Sequence, residues 1–248
     1  MAHIICVASG KGGAGKTTVV ANLSAAMARL GLDVVAVDAN ITTSNLGIHL
    51  GIPLYPVTIQ DVLTGGAKLK DAMYFHEAGF NVLPADVSLE KLMNPDKNEF
   101  LDVFYKVNAD FVLIDCAAGL GRDALAAVEA SDELLVVTNP DVPAMTDAVK
   151  LAKLAEQAET SSIGIVLNKV GYRKYEVHPL EVESFLSLPL VGLIPEDENV
   201  KKALAFKTPV VNFKPFSPAS REFMLIAARL SGTAYRPPKN WRFWQQFY

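Results

Sequence analysis

Cysteine is scarce in this chain: Cys6 and Cys116 are the two in 248 residues. They are too few for a disulfide framework, and no C-x-x-C pair offers a zinc site. The four histidines, His3, His49, His76 and His178, have no ligand spacing, so surface or packing roles are expected for them. No apolar run reaches the ~18 residues of a membrane helix, because Arg, Lys, Asp or Gly interrupts every candidate. Neither sign of charge dominates. Lys and Arg total 23 against 27 Asp and Glu, a net charge of -4. No nucleic-acid partner is expected from that balance, although a local patch would not show in the sum. Gly (16) and Pro (14) are too few for a low-complexity chain, and an apolar half excludes a disordered one. The opening MAHIICVASGKGG has no basic n-region and turns glycine-rich early, so no secretory signal is expected. These absences leave a soluble, cytoplasmic globular protein with enough length to bury a substantial core.

What is present is a recurrence of short apolar, β-branched runs at 3–8, 33–37, 81–83, 111–114, 133–138, 163–167 and 190–194. Each is too short for a buried helix and is apolar on both faces, as strands covered on both sides would be. Helical patterns lie between several of them. Residues 16–30 place Val20, Leu23, Met27 and Leu30 on one face, and Gly31 stops the pattern. Residues 144–158 and 220–230 give two more helices. The alternation predicts an α/β fold with a doubly wound, mostly parallel sheet and helices on both faces. One domain is expected over 1–232, followed by a tail over 233–248 in which Pro237-Pro238 ends the regular pattern.

The motif carrying the chemistry is Gly10-Lys11-Gly12-Gly13-Ala14-Gly15-Lys16-Thr17, a match to G-x-x-x-x-G-K-[ST]. It follows an apolar strand and opens an amphipathic helix, the context the motif requires. Its glycines let backbone N–H groups converge on phosphate oxygens, and the helix N-terminus adds positive potential. Lys16 would neutralise the β- and γ-phosphates of a nucleotide, and the Thr17 hydroxyl would hold Mg²⁺. Acidic partners are expected at strand C-termini, where ligands of open α/β sheets bind. Asp38 and Asp115 each close an apolar strand and are the candidate metal ligands beside Thr17. Either one, taken alone, would also suit a helix or turn cap. Gly119 and Gly121 leave the segment after Asp115 free to respond to a γ-phosphate.

The second lysine, Lys11 within KGGAGKTT, resembles the deviant Walker A motif of the MinD/Mrp/ParA class of ATPases. VDANITTSNLGIHLG is similar to the switch I stretch of that class, DVLTG to the helix after it, and FVLIDCAAGL to Walker B with switch II. VVTNP, VLNK and LVGLIPED are similar to its later strand ends, those of archaeal MinD proteins above all. The resemblance runs over most of the chain and stops at the tail. It implies a P-loop NTPase that forms a nucleotide-dependent homodimer, with two ATP molecules between protomers and Lys11 reaching the partner's phosphates. A cation supplied by the other subunit couples dimerisation to the γ-phosphate charge. The resemblance further implies that Gly10, Gly12, Gly13, Ala14, Gly15, Lys16, Thr17 and Thr18 bind the phosphates. Asn168 matches the adenine-recognising position, and Pro195, Glu196 and Asp197 match the loop lining the base. As a residue alone, Asn168 would also suit a turn.

Two positions depart from the class. Its members usually read Asp-x-Asp after the second strand, where this chain has Asp38-Ala39-Asn40. An amide can orient water but cannot take its proton. Lys11, Lys16, Asp38 and Asn40 therefore form the expected catalytic set of a slow ATPase; Asn40 as a turn cap is the other reading. Ala117 stands where switch II commonly has proline, which loosens that loop. Cys6 and Cys116 are expected in the core, with a redox or metal role for Cys116 as the alternative. The tail holds both tryptophans and 5 of the 21 aromatics in its last 8 residues. It could pack on its own domain, dock a protein, or make weak contact with a membrane as a peripheral protein would. Three processes fit such a switch. It could assist metallocentre assembly, as in nickel insertion during hydrogenase maturation, with a metallochaperone or target enzyme as partner. It could be a MinD-like spatial regulator of division or cargo. It could be a near-inactive ATP-binding scaffold.

Overall fold

A computed structural model describes residues 1–52, 55–88, 93 and 95–236. Its eight strands are β1 His3–Ala8, β2 Val34–Asp38, β3 Tyr74–His76, β4 Phe80–Leu83, β5 Phe111–Asp115, β6 Glu133–Thr138, β7 Ser161–Val170 and β8 Leu190–Pro195. They form one sheet in the order β3-β4-β2-β5-β1-β6-β7-β8. Every pairing is parallel except β3 with β4. The helices are α1 Lys16–Arg29, α2 Leu46–His49, α3 Ile59–Leu63, α4 Lys97–Phe104, α5 Arg122–Glu129, α6 Val142–Gln157, α7 Pro179–Leu186, α8 Glu198–Ala205, α9 Val210–Phe213 and α10 Pro218–Ser231.

Side chains alternate along each strand, so the sheet builds two cores. Ile4, Cys6 and Ala8 of β1 face α3 to α7, where Phe100, Phe104, Leu151 and Val182 close the layer. Ile5 and Val7 face α1, α2 and α8 to α10, meeting Leu23, Met27, Phe223 and Ile226. All five residues of β2 are buried, as expected of a central strand covered on both faces. Ten of the fourteen residues of α1 are buried; tertiary packing of this kind holds a helix that would be marginal alone. Gly31 follows α1 with a φ of 86°, the left-handed stop anticipated from sequence. Cys6 and Cys116 are both fully buried in the same core, each a free thiol.

The edge strand β3 carries no apolar run that would reveal it. It exists through a tight return to β4, in which Gly79 N–H donates to His76 O at 2.9 Å and Ala78 N–H to the His76 ring. His76 itself is buried and packs on Phe80, with ring centroids 5.1 Å apart. β7 is longer than its apolar run because its first residues pair with β6 despite their polarity. Beyond Gly232, Tyr235 packs against the α1 and α10 core. The aromatic residues 241–248 lie outside the described residues.

Candidate functional site

The order of the sheet turns at β1, which β5 flanks on one side and β6 on the other. Loops leaving the ends of these strands diverge there and leave a crevice. The loop from Ser9 to Gly15 lies over it. A Cβ at Gly10 would collide with the backbone of Asp147 on α6, and one at Gly15 with the amide of Asn168. Gly15 also has a φ of 102°, so both positions require glycine. Helix α1 then starts at Lys16 with no side-chain cap and no acidic residue in its first turn. Its leading N–H groups are thus left for an external anion. The Lys16 ammonium is buried and donates to Ser9 Oγ at 3.0 Å, while Ser9 donates to Lys11 O at 2.8 Å. The lysine is folded back along the loop and held there.

A cavity of about 580 Å³ opens beside this loop. Gly12, Gly13, Gly15, Lys16, Thr17 and Thr18 form one end of it. Asn40, Thr43, Asn45, His49, Asn168, Lys169, Pro195, Glu196, Asp197 and Phe223 also line it. Its size suits a nucleotide. Gly10, Lys11, Ala14, Asp38 and Asp115 are not among its lining residues. Asn168 is buried, donates from Nδ2 to Ala14 O at 2.8 Å and accepts from Lys169 N–H at 2.9 Å. One amide hydrogen of Asn168 therefore braces the phosphate loop. The Asp197 carboxylate caps α8 through Asn199 N–H at 2.9 Å and takes Ala219 N–H at 3.2 Å. Glu196 pairs with Arg173 at 2.7 Å.

Asp38 and Asp115 stand opposite each other in the register of β2 and β5, both buried. Asp38 gathers the segment after β2. Its Oδ2 accepts Ser44 Oγ at 2.7 Å, Leu46 N–H at 3.0 Å and Asn45 N–H at 3.1 Å, and its Oδ1 accepts Asn40 N–H. Burial raises its pKa to about 6 even against these donors. Neither oxygen of Asp115 has a hydrogen-bond partner. Burial, and then the charge of Asp38, raise its pKa to about 8, while Thr17 and Lys16 beside it pull the other way. A buried carboxylate without donors, next to a second carboxylate and a threonine hydroxyl, fits a divalent cation with hard oxygen ligands. Mg²⁺ suits this set, since it takes few protein ligands and completes its shell with phosphate and water.

The Asn40 side chain closes its own turn. Nδ2 donates to Thr43 O at 2.8 Å, and Oδ1 accepts Thr43 Oγ1 at 3.0 Å and Thr43 N–H at 3.2 Å. Lys11 points away from the cavity and pairs with Asp141 at 2.9 Å. The same Asp141 Oδ1 caps α6 through Ala144 N–H at 2.9 Å. Sequence reasoning missed Asp141, Asn139, Lys169 and the position of His49. The His49 ring is half-buried on the cavity wall, 3.5 Å from Thr18 Oγ1 and 3.2 Å from Asn45 O. Burial pulls its pKa below the ordinary histidine value. Only the proximity of His49 to switch I hinted at this placement.

A strand, a glycine loop, an uncapped helix and two buried carboxylates in register define a phosphate-loop nucleotide-binding fold. The chain belongs to the CobQ/CobB/MinD/ParA nucleotide binding domain family, which matches residues 5–210. An ATP-binding protein of Methanocaldococcus jannaschii is 41% identical over 237 residues, covering 95% of this chain and 90% of the relative. The septum site-determining protein MinD of Pyrococcus horikoshii, solved with Mg-ADP, superposes with a TM-score of 0.88 at 36% identity. That match covers 93% of this chain and 96% of the other. The cell division ATPase MinD of Pyrococcus furiosus gives a TM-score of 0.89 at 38% identity, over 94% and 100% of the two chains.

Proposed function

We propose that this protein is a slow ATPase of the MinD type that works as a nucleotide-dependent dimer switch. The observation that carries the reading is the join between the two halves of the site. Thr17 and Lys16 at the start of α1 act on Asp115, which stands in register with Asp38, and the same helix start lines a cavity of nucleotide size. In this reading the loop 10–15 and the first turn of α1 bind the phosphates, and Lys16 neutralises them. Thr17, with Asp38 and Asp115 behind it, holds Mg²⁺, whose chemistry is to draw off charge from the phosphate oxygens. Asn168 and residues 195–197 enclose the base. The switch resides in residues 1–232, and the tail 233–248 starts against that domain, with Tyr235 packed on its core.

Asn40 makes the turnover slow, because an amide bonded into its own turn cannot take a proton from water. Asp38 ties the cation site to the segment 40–46, so occupancy of one reshapes the other. Lys11 leaves Asp141 and pairs with the phosphates of a second protomer when ATP closes the dimer. A protein partner reads the closed form. The names of the Pyrococcus relatives favour cell division as the process. Metallocentre assembly would need the metal to be carried by a partner, since the described residues hold no cluster of three or more His, Cys, Asp or Glu.

The test is titration of a fluorescent ATP analogue with Mg²⁺, paired with light scattering in ATP and in ADP. The wild-type chain binds and dimerises in ATP, and Lys16→Ala binds at least tenfold more weakly. Unchanged affinity in that variant would falsify the site.

A further inference from the structure

The end of β7 grips the phosphate loop with two consecutive residues, both of which also line the cavity. Asn168 Nδ2 donates to Ala14 O, and Lys169 Nζ donates to Gly13 O at 2.7 Å. Asn139 Nδ2 backs the pair by donating to Asn168 O at 3.0 Å. A trans peptide is planar, so its C=O and the following N–H point in opposite directions. Holding the Gly13 carbonyl on the Lys169 side therefore aims the Ala14 N–H away from it. Holding the Ala14 carbonyl likewise aims the Gly15 N–H. Gly13 and Gly15 have φ of 78° and 102°, the alternation by which successive N–H groups form an anion nest.

Lys169 reaches that carbonyl through two local irregularities. Its φ is 60°, a left-handed conformation that a residue with a Cβ rarely adopts. The register of β7 on β8 also slips here, Asn168 pairing with Ile194 and Val170 with Pro195. Lys169 is the extra residue between them, and an extra residue of this kind re-aims a side chain at the rim of a site. Backbone irregularity and a charge-assisted hydrogen bond converge on one atom of the phosphate loop.

We propose that Lys169 is a positioning residue for the phosphate loop, turning the Ala14 N–H toward the nucleotide through the Gly13 carbonyl. The proposal rests on the nucleotide-site reading above. It separates the two ends of the ligand, because a misaimed loop weakens phosphate binding and leaves the base end intact.

The experiment measures ADP and adenosine affinities for the wild-type chain, Lys169→Met and Lys169→Arg, with thermal melting of each nucleotide-free protein. Lys169→Met weakens ADP about tenfold, the scale of one lost charge-assisted hydrogen bond, and leaves adenosine within twofold. Lys169→Arg, which keeps a charged donor, restores most of the ADP affinity. The ADP loss persists in 0.5 M salt, where screening over a few ångströms would erase the pull of an unbonded cation. ADP affinity equal to wild type in Lys169→Met overturns the proposal, and so does an equal loss of ADP and adenosine. A wild-type chain that binds neither ligand overturns instead the nucleotide reading beneath it.

Discussion

Replacing Asp115 by asparagine separates what this carboxyl does for the site from what it does to the fold. Its side chain is buried without a hydrogen-bond partner, and its pKa stands at about 8 instead of 3.8. The unfolded chain releases this proton near 3.8, while the nucleotide-free fold keeps it until about pH 8. Below the lower value both states are protonated and the group contributes nothing to the pH dependence. Above it the unfolded state gains from ionisation and the folded state does not, so stability falls as pH rises through this window. The slope is about 1.4 kcal/mol per pH unit, and the loss is on the order of 4 kcal/mol at pH 7. Asparagine does not ionise, so Asp115→Asn removes the slope. Its amide is left without partners at a cost of about 1–3 kcal/mol. The net gain at pH 7 is then roughly 1–3 kcal/mol, or a few degrees in Tm for a chain of this size. The assay is urea unfolding of both proteins from pH 5 to pH 8, without nucleotide or metal. The difference in stability widens by about 1.4 kcal/mol per unit in favour of the variant, and its cost at fixed pH cancels from that slope. A difference that stays flat with pH, or that narrows, refutes the assignment of Asp115 as a buried, protonated carboxyl. The same variant loses the added stability that Mg²⁺ and ADP together give the wild type.

Asn40→Asp supplies a proton acceptor beside the attacking water and raises the rate of ATP hydrolysis, read as phosphate release at saturating ATP. The Thr43 N–H and hydroxyl bonds to Oδ1 survive the change, but the carboxylate loses the donation from Nδ2 to Thr43 O, so Tm falls by a few degrees. Lys11→Ala leaves monomer affinity for ADP within about twofold, because Lys11 faces Asp141 and not the cavity. It abolishes the ATP-dependent increase in mass seen by light scattering. Asp141→Asn keeps a capping side chain for α6 and removes the anion that holds Lys11. An exposed pair of this kind is worth up to about 1 kcal/mol, so the dimer forms at an ATP concentration lowered by up to about fivefold.

Local chemistry was legible in the chain. Residues 10–17 announce a phosphate loop because each requirement, glycine for backbone curvature and lysine and threonine for the anion and its cation, is met within eight consecutive positions. The strand ending in Asp38 and the one ending in Asp115 were legible because burial on both faces leaves an uninterrupted apolar run. β3 was not, since a three-residue edge strand owes its existence to a turn and a partner. A turn cap was one of the two readings open for Asn40, and the bonds of its amide to Thr43 bear that reading out.

Tertiary structure alone decided which distant groups act on the loop. Asn168 lies 154 residues from its partner, the Ala14 carbonyl, and Lys169 156 from the Gly13 carbonyl, hydrogen bonds that only the placement of β7 near β1 makes possible. The pairing of Lys11 with Asp141 spans 130 residues. Asp38 and Asp115 become a pair because β2 and β5 are neighbours in register, although 77 positions part them in the chain. Side-chain periodicity and turn chemistry are properties of a few consecutive residues and can be read from order alone. The electrostatics of Asp115, the hold on Lys11 and the aim of the phosphate loop arise where the sheet brings separate strand ends together. These depend on strand order and register, which no short stretch of the sequence encodes.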